Sequence, residues 1–226
     1  RSIRRQRQMC IRDRVWQLSP PAPELAHFVN DGIGFVQATW NTDETHVLTA
    51  SDDGIARVWN ADNGELLLSL TGHTAPLVVA SWDASETRIL TASQDSTARI
   101  WDADSGELLH SLEGHTDWLT VAYWSADERH ILTGSWDSTA RIWDADNGEL
   151  LQSFEGHTDG VMATQWSTDG QQILTGSLDG TARIWNVDNG VELNQLTGHT
   201  DGVITVQWSA GDEKILTGSW DNRAKV

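Results

Sequence analysis

A unit of 42 residues recurs along this chain. The dipeptide Gly-His appears four times at that spacing, beginning at Gly72, Gly114, Gly156 and Gly198. Four tryptophans keep the same step, namely Trp59, Trp101, Trp143 and Trp185. A unit this short cannot bury its apolar residues alone, so it must stack on its neighbours. The repeat therefore restricts the chain to architectures built by stacking, such as solenoids and propellers.

Each unit contains four short apolar segments separated by turn residues. In the unit that starts near 114, the segments are 117–125, 131–135, 139–143 and 149–154. They are rich in β-branched and aromatic residues, which favour strands. Gly, Asp and Asn lie between them, where turns need a positive φ or a side-chain cap. Because no helical periodicity is present, each unit is predicted to form a four-stranded antiparallel meander.

The combination of Gly-His, an Asp in a tight turn and Trp-Asp or Trp-Asn, at a period near 40, resembles the WD40-repeat β-propellers. The resemblance covers residues 15–226, with units that start near 30, 72, 114, 156 and 198. It implies an all-β fold, a β-propeller of four-stranded antiparallel blades, with about five blades present. The near-identity of the units is similar to the bacterial type of this family, in which such repeats often follow signalling or ATPase domains.

The two ends of the chain leave two structural alternatives open. In one, residues 24–29 supply the outer strand that the last unit lacks, which closes a five-bladed ring. In the other, which we favour, the chain is a fragment of a longer protein with a larger ring, seven blades being the family norm. An isolated fragment would expose two apolar blade faces, so we expect it to close, oligomerise or aggregate.

Residues 1–14 differ from the rest of the chain, because they carry six Arg and one Asp and show no apolar periodicity. We expect them to be a non-structural tail, either a translated sequencing artefact or a disordered basic segment.

His, Ser and Asp recur together in four units, in the combination that a hydrolase uses once. An active site is needed once, whereas a brace is needed in every blade, so the chain is predicted not to be an enzyme. The resemblance implies that each set joins a Trp in a hydrogen-bond chain between the loop and the inner strands. These structural residues are His73, Ser93, Asp95 and Trp101; His115, Ser135, Asp137 and Trp143; His157, Ser177, Asp179 and Trp185; and His199, Ser219 and Asp221. In the first unit Asn30-Asp31 replaces Gly-His, so its brace is predicted to be incomplete.

Two further patterns are interpreted as structural. The tryptophans at 40, 82, 124, 166 and 208 are predicted to lie in the core of the inner strands. The segment 144–149, DADNGE, has its Gly in the fifth position and no Glu at the twelfth, so it favours a turn over a calcium loop. No metal and no cofactor are expected.

Partner binding is predicted where the aligned units differ. The resemblance implies that three variable columns project onto one rim around the channel mouth, where partners dock. The predicted binding residues are Asp52, Gln94, Trp136, Leu178 and Trp220 before the turn Asp; Trp118 after the Gly-His loop; and Thr120, Met162 and Ile204 two residues further. Because Trp is unusual in an exposed turn, Trp118, Trp136 and Trp220 are predicted to be aromatic anchors for a protein or peptide. Unconstrained drift, and a small-ligand or glycan site that stacks on the same rings, are the alternatives.

Charge and cysteine content limit the class of partner. The net charge of −18 opposes binding to nucleic acid and to anionic membranes, so neither is expected as a partner. The turns TDE (42–44), ADE (126–128) and GDE (211–213) and the DAD segments predict that the opposite rim is acidic. The single cysteine, Cys10, excludes an internal disulfide and fits a cytoplasmic location.

Overall fold

A computed structural model describes residues 14–16, 24–30 and 33–226 of the chain. Residues 1–13 of the predicted tail, and Asp31 of the altered Gly-His dipeptide, lie outside this part. The elements of the described residues are β-strands, and no helix among them is long and apolar enough to cross a membrane.

Four units form complete antiparallel sheets of four strands each, in sequential order. Blade 1 contains β3 (Phe35–Trp40), β4 (His46–Ser51), β5 (Ala56–Asn60) and β6 (Leu66–Leu70). Blade 2 contains β7 (Leu77–Trp82), β8 (Arg88–Ser93), β9 (Ala98–Asp102) and β10 (Leu108–Leu112). Blade 3 contains β11 (Leu119–Trp124), β12 (His130–Ser135), β13 (Ala140–Asp144) and β14 (Leu150–Phe154). Blade 4 contains β15 (Val161–Trp166), β16 (Gln172–Ser177), β17 (Ala182–Asn186) and β18 (Glu192–Leu196).

The remaining strands form one three-stranded sheet and one hairpin. Blade 5 contains β19 (Val203–Trp208), β20 (Ile215–Ser219) and β21 (Arg223–Lys225). The hairpin contains β1 (Arg14–Trp16) and β2 (Glu24–His27), with Arg14 opposite His27. The all-β propeller fold is thus confirmed, with five sheets of three or four strands.

The structure contradicts the alternative in which residues 24–29 complete the last blade, because β2 pairs with β1 and not with β21. Phe28, which follows β2, is 2% exposed, and its ring centroid lies 5.7 Å from that of Trp59 in blade 1. Phe154 at the end of β14 packs in the same way on Trp185 of the next blade, at 5.9 Å. Relative to blade 1, β2 therefore occupies the place of an outer strand in a preceding sheet.

The apolar core lies between blades rather than within them. Leu48 and Leu70 of blade 1 form one cluster with Ile89 and Trp101 of blade 2, and the same arrangement recurs at the next two boundaries. The second strands of blades 1 to 4 are covered on both faces, and all residues of β12 after His130 are buried. This explains why the ILT segments are continuous apolar runs rather than alternating ones. Stacking, not the single sheet, therefore buries the apolar surface.

The tryptophan column at 40, 82, 124, 166 and 208 is less buried than the sequence predicts. Trp40 is 44% exposed, and the other four are half-buried at the ends of the inner strands. Each of those four indoles packs against the edge of an interblade cluster. They lie at the rim where each inner strand ends, and the four half-buried indoles pack against the cluster shared with the preceding blade.

The two ends of the blades differ in the turns that they present. We call the end formed by the Gly-His loops and the turns after the second strands the upper rim, for example residues 114–118 and 136–139. The lower rim is formed by the turns after the first and third strands, for example 125–129 and 145–149. Asp144 builds the second kind of turn by accepting the backbone N–H groups of Asp146 and Asn147, at 2.8 and 3.1 Å. Gly148 has a φ of 76°, so the segment DADNG is a glycine-assisted turn.

Acidic side chains at the lower rim accept hydrogen bonds from backbone N–H groups of the preceding blade, a contact that the sequence does not reveal. We call each such contact a latch. Glu86 accepts the backbone N–H of Thr42 in the preceding blade, and Glu128 accepts that of Ala84. Asp212 accepts the backbone N–H of Thr168 at 2.7 Å. At the boundary between blades 3 and 4 the equivalent residue is Gly170, which has no side chain to form the latch.

Candidate functional site

A chain of hydrogen bonds from Trp through Thr and His to Asp braces each of blades 2 to 4 behind the upper rim, and in blade 5 the chain joins Thr217, His199 and Asp221. In blade 3, Trp143 Nε1 donates to Thr133 Oγ1 at 2.9 Å. His115 joins the same hydroxyl through Nε2 and Asp137 Oδ2 through Nδ1, both at 2.8 Å. Asp137 Oδ2 also accepts the backbone N–H of Thr116 at 3.0 Å. The brace therefore ties the Gly-His loop to the second and third strands of its own blade.

The structure corrects one member of the predicted brace, because the hydroxyl between His and Trp belongs to a Thr and not to the Ser. Ser135 Oγ donates to the Asp117 carbonyl at 2.9 Å and accepts the backbone N–H of Asp137 at 3.0 Å. The Ser thus fixes the loop and the turn but does not touch the imidazole. The same correction applies to Ser93, Ser177 and Ser219, and the linking threonines are Thr91, Thr133, Thr175 and Thr217.

The brace fits a neutral imidazole. With His115 protonated on Nδ1, Trp143 donates to Thr133, the Thr133 hydroxyl donates to His115 Nε2, and the Nδ1 proton points to Asp137. Burial lowers the pKa of His73, His115 and His157, although the neighbouring carboxylate acts in the opposite direction. The imidazole of each of these three is 1% exposed. No nucleophile is activated in this arrangement, because the serine hydroxyl bonds a backbone carbonyl instead of the imidazole.

The carboxylates of the brace are held in their ionised form. Burial alone would raise the pKa of Asp179, but hydrogen bonds from Thr181 and His157 outweigh it and lower the pKa to about 2. Burial also acts to raise the pKa of Asp137. Hydrogen bonds from His115 and Thr139 outweigh it and hold the pKa of Asp137 well below its usual value. These bonds stabilise the fold only while the carboxylates are charged.

Acid is expected to destabilise the protein in two steps. The three buried histidines have lower pKa values in the folded state than the usual 6.5, so the unfolded chain binds protons first as the pH falls below that value. The Asp carboxylates add a second loss of stability below about pH 4. The free energy of unfolding, measured by urea denaturation, should therefore fall between pH 7.5 and 5 and fall again below pH 4. His115→Asn should show a shallower first decline, and parallel declines would contradict this assignment.

Blade 1 has an incomplete brace, as its sequence predicts. Trp59 Nε1 still donates to Thr49 Oγ1 at 2.9 Å. The carboxylate of Asp53 pairs with Arg57, with Nη2 2.8 Å from Oδ2, instead of with a histidine. Among the described residues the Ser51 hydroxyl has no hydrogen-bond partner. Among the described residues, blade 1 therefore keeps the Trp–Thr half of the brace, and Asp53 turns to Arg57 instead of to the loop.

Four apolar side chains form a continuous ridge along the upper rim of blades 3 to 5. Trp118 and Trp136 are joined by a backbone hydrogen bond from Trp136 N to Trp118 O at 2.9 Å. Leu178 and Trp220 follow in the same turns of the next two blades. Trp118 is 51% exposed, Trp136 39% and Trp220 52%, and Leu178 is half-buried. We call these four residues the Trp ridge.

Two glycines make the ridge continuous. A Cβ added to Gly160 would lie 3.2 Å from Cε3 of Trp136, so the Trp136 ring of blade 3 covers this glycine of blade 4. A Cβ added to Gly202 would lie 2.7 Å from Cδ2 of Leu178 and 3.6 Å from Cε3 of Trp220. Each glycine thus provides the room in which a side chain of the preceding blade reaches the next one.

The other predicted binding residues are less available to a partner. Thr120 donates its hydroxyl to the Val161 carbonyl of the next blade at 2.7 Å, so it holds two blades together. Gln94, Met162 and Ile204 are half-buried, and Asp52 is exposed but lies beside Gly34 in blade 1. Of the three predicted columns, the one before the turn Asp contributes most to the exposed surface. Gly160 and Gly202 belong to the site although they have no side chain to bind with.

Comparison with known proteins agrees with the propeller fold. The family model described as the IFT122 first beta-propeller matches residues 35–226. The computationally designed protein Ika8 has a TM-score of 0.78 and 24% identity, with 89% of this chain and 60% of that chain covered, and this likeness supports the fold alone. The WD40 β-propeller domain of Doa1 has a TM-score of 0.67 and 28% identity, over 80% of this chain and 59% of that chain.

The curated relatives match a shorter segment. The angio-associated migratory cell proteins of Homo sapiens and Pongo abelii are each 41% identical over 54 residues. That segment is 24% of this chain and 12% of the length of those relatives. The blades, the braces and the match over 35–226 lead to one conclusion: the chain belongs to the WD40-repeat β-propellers, in the family of the IFT122 first β-propeller.

Proposed function

We propose that the chain is a non-catalytic scaffold that binds a protein or peptide partner through the Trp ridge on its upper rim. Propellers of this family generally mediate protein–protein interaction, which supports the class of function. The observation that carries the assignment is the ridge itself. Three tryptophans are each more than a third exposed, and the ridge they form with Leu178 spans three blades. Aromatic side chains in such a position are the residues that dominate binding energy at interfaces.

The charge around the ridge favours a partner with basic residues. The upper-rim segments 114–118, 136–139, 156–160, 178–181 and 198–202 contain no Lys or Arg, and the equivalent turn of blade 5, residues 220–223, contains one, Arg223. Asp117, Asp159 and Asp201 are exposed in these segments. Carboxylates around an apolar strip attract a segment that has apolar side chains flanked by Lys or Arg.

The proposal is tested by selecting binders from a random peptide library displayed on phage and measuring their affinity for variants. Changing Trp118, Trp136 and Trp220 together to Ala should weaken binding of the selected peptides about 100-fold or more, since interface anchors of this type contribute about 2 kcal/mol or more each. The melting temperature should change by only a few degrees, because all three rings are exposed.

A matched control removes equally exposed apolar residues elsewhere. Leu66, Leu108 and Leu150 on the outer strands are 46%, 45% and 46% exposed, and their triple change to Ser should leave peptide binding intact. If the Trp variant keeps full affinity for the selected peptides, the ridge is not the binding surface. If a glycan array yields ligands that depend on these tryptophans while the peptide library yields none, the ridge is a sugar-stacking site and the proposal is wrong.

A further inference from the structure

One arginine fills the groove between blades 2 and 3 at the lower rim. The guanidinium carbon of Arg88 lies 4.8 Å from the ring centroid of Trp124 in blade 3. Arg88 Nε donates to Asp83 Oδ2 at 3.0 Å, and the Asp83 side chain is fully buried. Arg88 Nη2 donates to the Glu128 carbonyl at 2.9 Å. Stacking on an aromatic ring with planar hydrogen bonding at the edges is the arrangement that a guanidinium forms well and an ammonium does not.

The third nitrogen of Arg88 reaches the turn after the third strand of blade 3. Arg88 Nη1 lies 3.2 Å from Asp146 Oδ1 and 3.4 Å from the Ala145 carbonyl oxygen. The groove thus offers one ring face, two backbone carbonyls and two carboxylates, and the side chain of Arg88 is only 19% exposed within it.

At the boundaries on either side the residue in the position of Arg88 is a histidine, whereas between blades 4 and 5 it is Gln172. His46 takes this position in blade 1 and His130 in blade 3, one period away on either side. His46 Nδ1 lies 2.8 Å from Thr45 Oγ1 in its own turn, and the His130 ring lies 6.5 Å from that of Trp166. Because imidazole is shorter than the arginine side chain, both grooves remain open. Their cavities measure about 400 Å³ between blades 1 and 2 and about 420 Å³ between blades 3 and 4.

Both open grooves keep most of the groups that surround Arg88. Around Arg88 these groups are the Trp124 ring, the backbone carbonyls of Glu128 and Ala145, and the carboxylate of Asp146. In the first groove they correspond to Trp82, Glu86, Ala103 and Asp104, and in the second to Trp166, Gly170, Val187 and Asp188. One group is lost, because Asn41 and Ser125 replace Asp83.

The lining of both grooves attracts a cation. The first groove is also lined by Asp43 and by the side chain of Glu86, and the second by Asp127 and Asp169. Neither set of described lining residues includes Lys or Arg. An anionic ligand would be repelled by these carboxylates, whereas a cation would pair with them and form charge-assisted hydrogen bonds.

We propose that each of these two grooves binds the guanidinium group of an arginine side chain from a partner peptide, in the place that Arg88 occupies within the chain itself. The guanidinium stacks on Trp82 or Trp166, donates to the backbone carbonyls and pairs with Asp104 or Asp188. The site lies on the rim opposite the Trp ridge and does not depend on it. Arg88 is thus an internal example of the ligand.

The test compares two blocked tripeptides, Gly-Arg-Gly and Gly-Lys-Gly, by NMR of the tryptophan indole N–H signals in the full chain. The signals of Trp82, Trp124 and Trp166 are assigned with single Trp→Phe variants. The arginine peptide should shift the signals of Trp82 and Trp166 and leave that of Trp124 unchanged, because Arg88 already covers it. The lysine peptide should bind at least about tenfold more weakly, since an ammonium lacks the planar, bidentate donors.

Two exchanges within the repeat fill one groove and open another. His130→Arg places an arginine in the second groove, so the Trp166 response should disappear while that of Trp82 remains. Arg88→His removes the internal arginine, so the Trp124 signal should begin to respond. Thermal melting checks that both variants fold.

Several results would overturn the proposal. The first is that the lysine peptide shifts the tryptophan signals as strongly as the arginine peptide does, and the second is that the Trp166 signal still responds in His130→Arg. The third is that the shifts are confined to the tryptophans of the Trp ridge, and the fourth is that no signal responds at millimolar peptide. The first result would mean that the grooves attract any cation without selecting a guanidinium. The third would mean that the peptide binds only at the upper rim.

Discussion

Trp143→Ala is expected to lower the free energy of unfolding by about 3–5 kcal/mol. The Trp143 side chain is 1% exposed and lies in a cluster with Leu90 and Ile100 of blade 2 and Ile131 of blade 3. Its removal leaves a cavity at the boundary between two blades and deprives the Thr133 hydroxyl of its indole donor. Urea denaturation followed by circular dichroism measures the loss.

Trp136 provides the matched control, because it lies in the same blade but is 39% exposed. Trp136→Ala should cost no more than about 1 kcal/mol, as is usual for surface substitutions. Equal losses for the two variants would mean that the ridge is part of the core. If Trp143→Ala does not fold, Trp143→Phe keeps most of the volume and still removes the N–H, so it should remain less stable than Trp136→Ala.

Thr133→Val should cost about 2–6 kcal/mol, because it leaves two buried groups without a partner at about 1–3 kcal/mol each. The shape of the side chain is nearly unchanged, so the loss reports the hydroxyl. The affected groups are the indole N–H of Trp143 and Nε2 of His115. Denaturation at pH 7.5, where the imidazole is neutral, measures this cost.

The repeat offers a control in Thr49→Val. Thr49 accepts the indole N–H of Trp59, but blade 1 has no histidine on this hydroxyl. The substitution should therefore leave one buried donor unpaired and cost about half as much as Thr133→Val. Equal costs would show that His115 gains no stability from the threonine, and the brace described for blades 2 to 5 would be wrong.

The period of 42 predicts the sheets well because every unit repeats the same alternation of strands and turns. The period does not identify the threonine of the brace. Ser135 stands close to the turn Asp in the sequence, whereas Thr133 stands within the apolar run of the second strand. A signal was present, because Thr recurs at 49, 91, 133, 175 and 217 even where His does not. Thr133 lies opposite Arg141 in the register, and Trp143 is its diagonal neighbour, a relation that only strand pairing reveals.

The surfaces were predicted only in part. The residue types indicate that Trp118, Trp136 and Trp220 are exposed at one rim. Their continuity depends on Gly160 and Gly202, which a search for functional side chains passes over. The lower-rim grooves depend on how far one side chain reaches across a boundary, and the alignment of units shows the exchange of Arg88 for histidine without showing the space that it leaves.

Each brace closes within a single blade, whereas each apolar cluster is shared by two successive blades. A gene that gains or loses one whole period would therefore keep every brace intact and would recreate the same apolar junction between the copies on either side. The hydrogen bonds that cross a boundary, such as that from Thr42 to Glu86, would form again wherever the two flanking units supply the same residues. The number of blades in proteins built from this unit can consequently change between closely related descendants without any new packing solution.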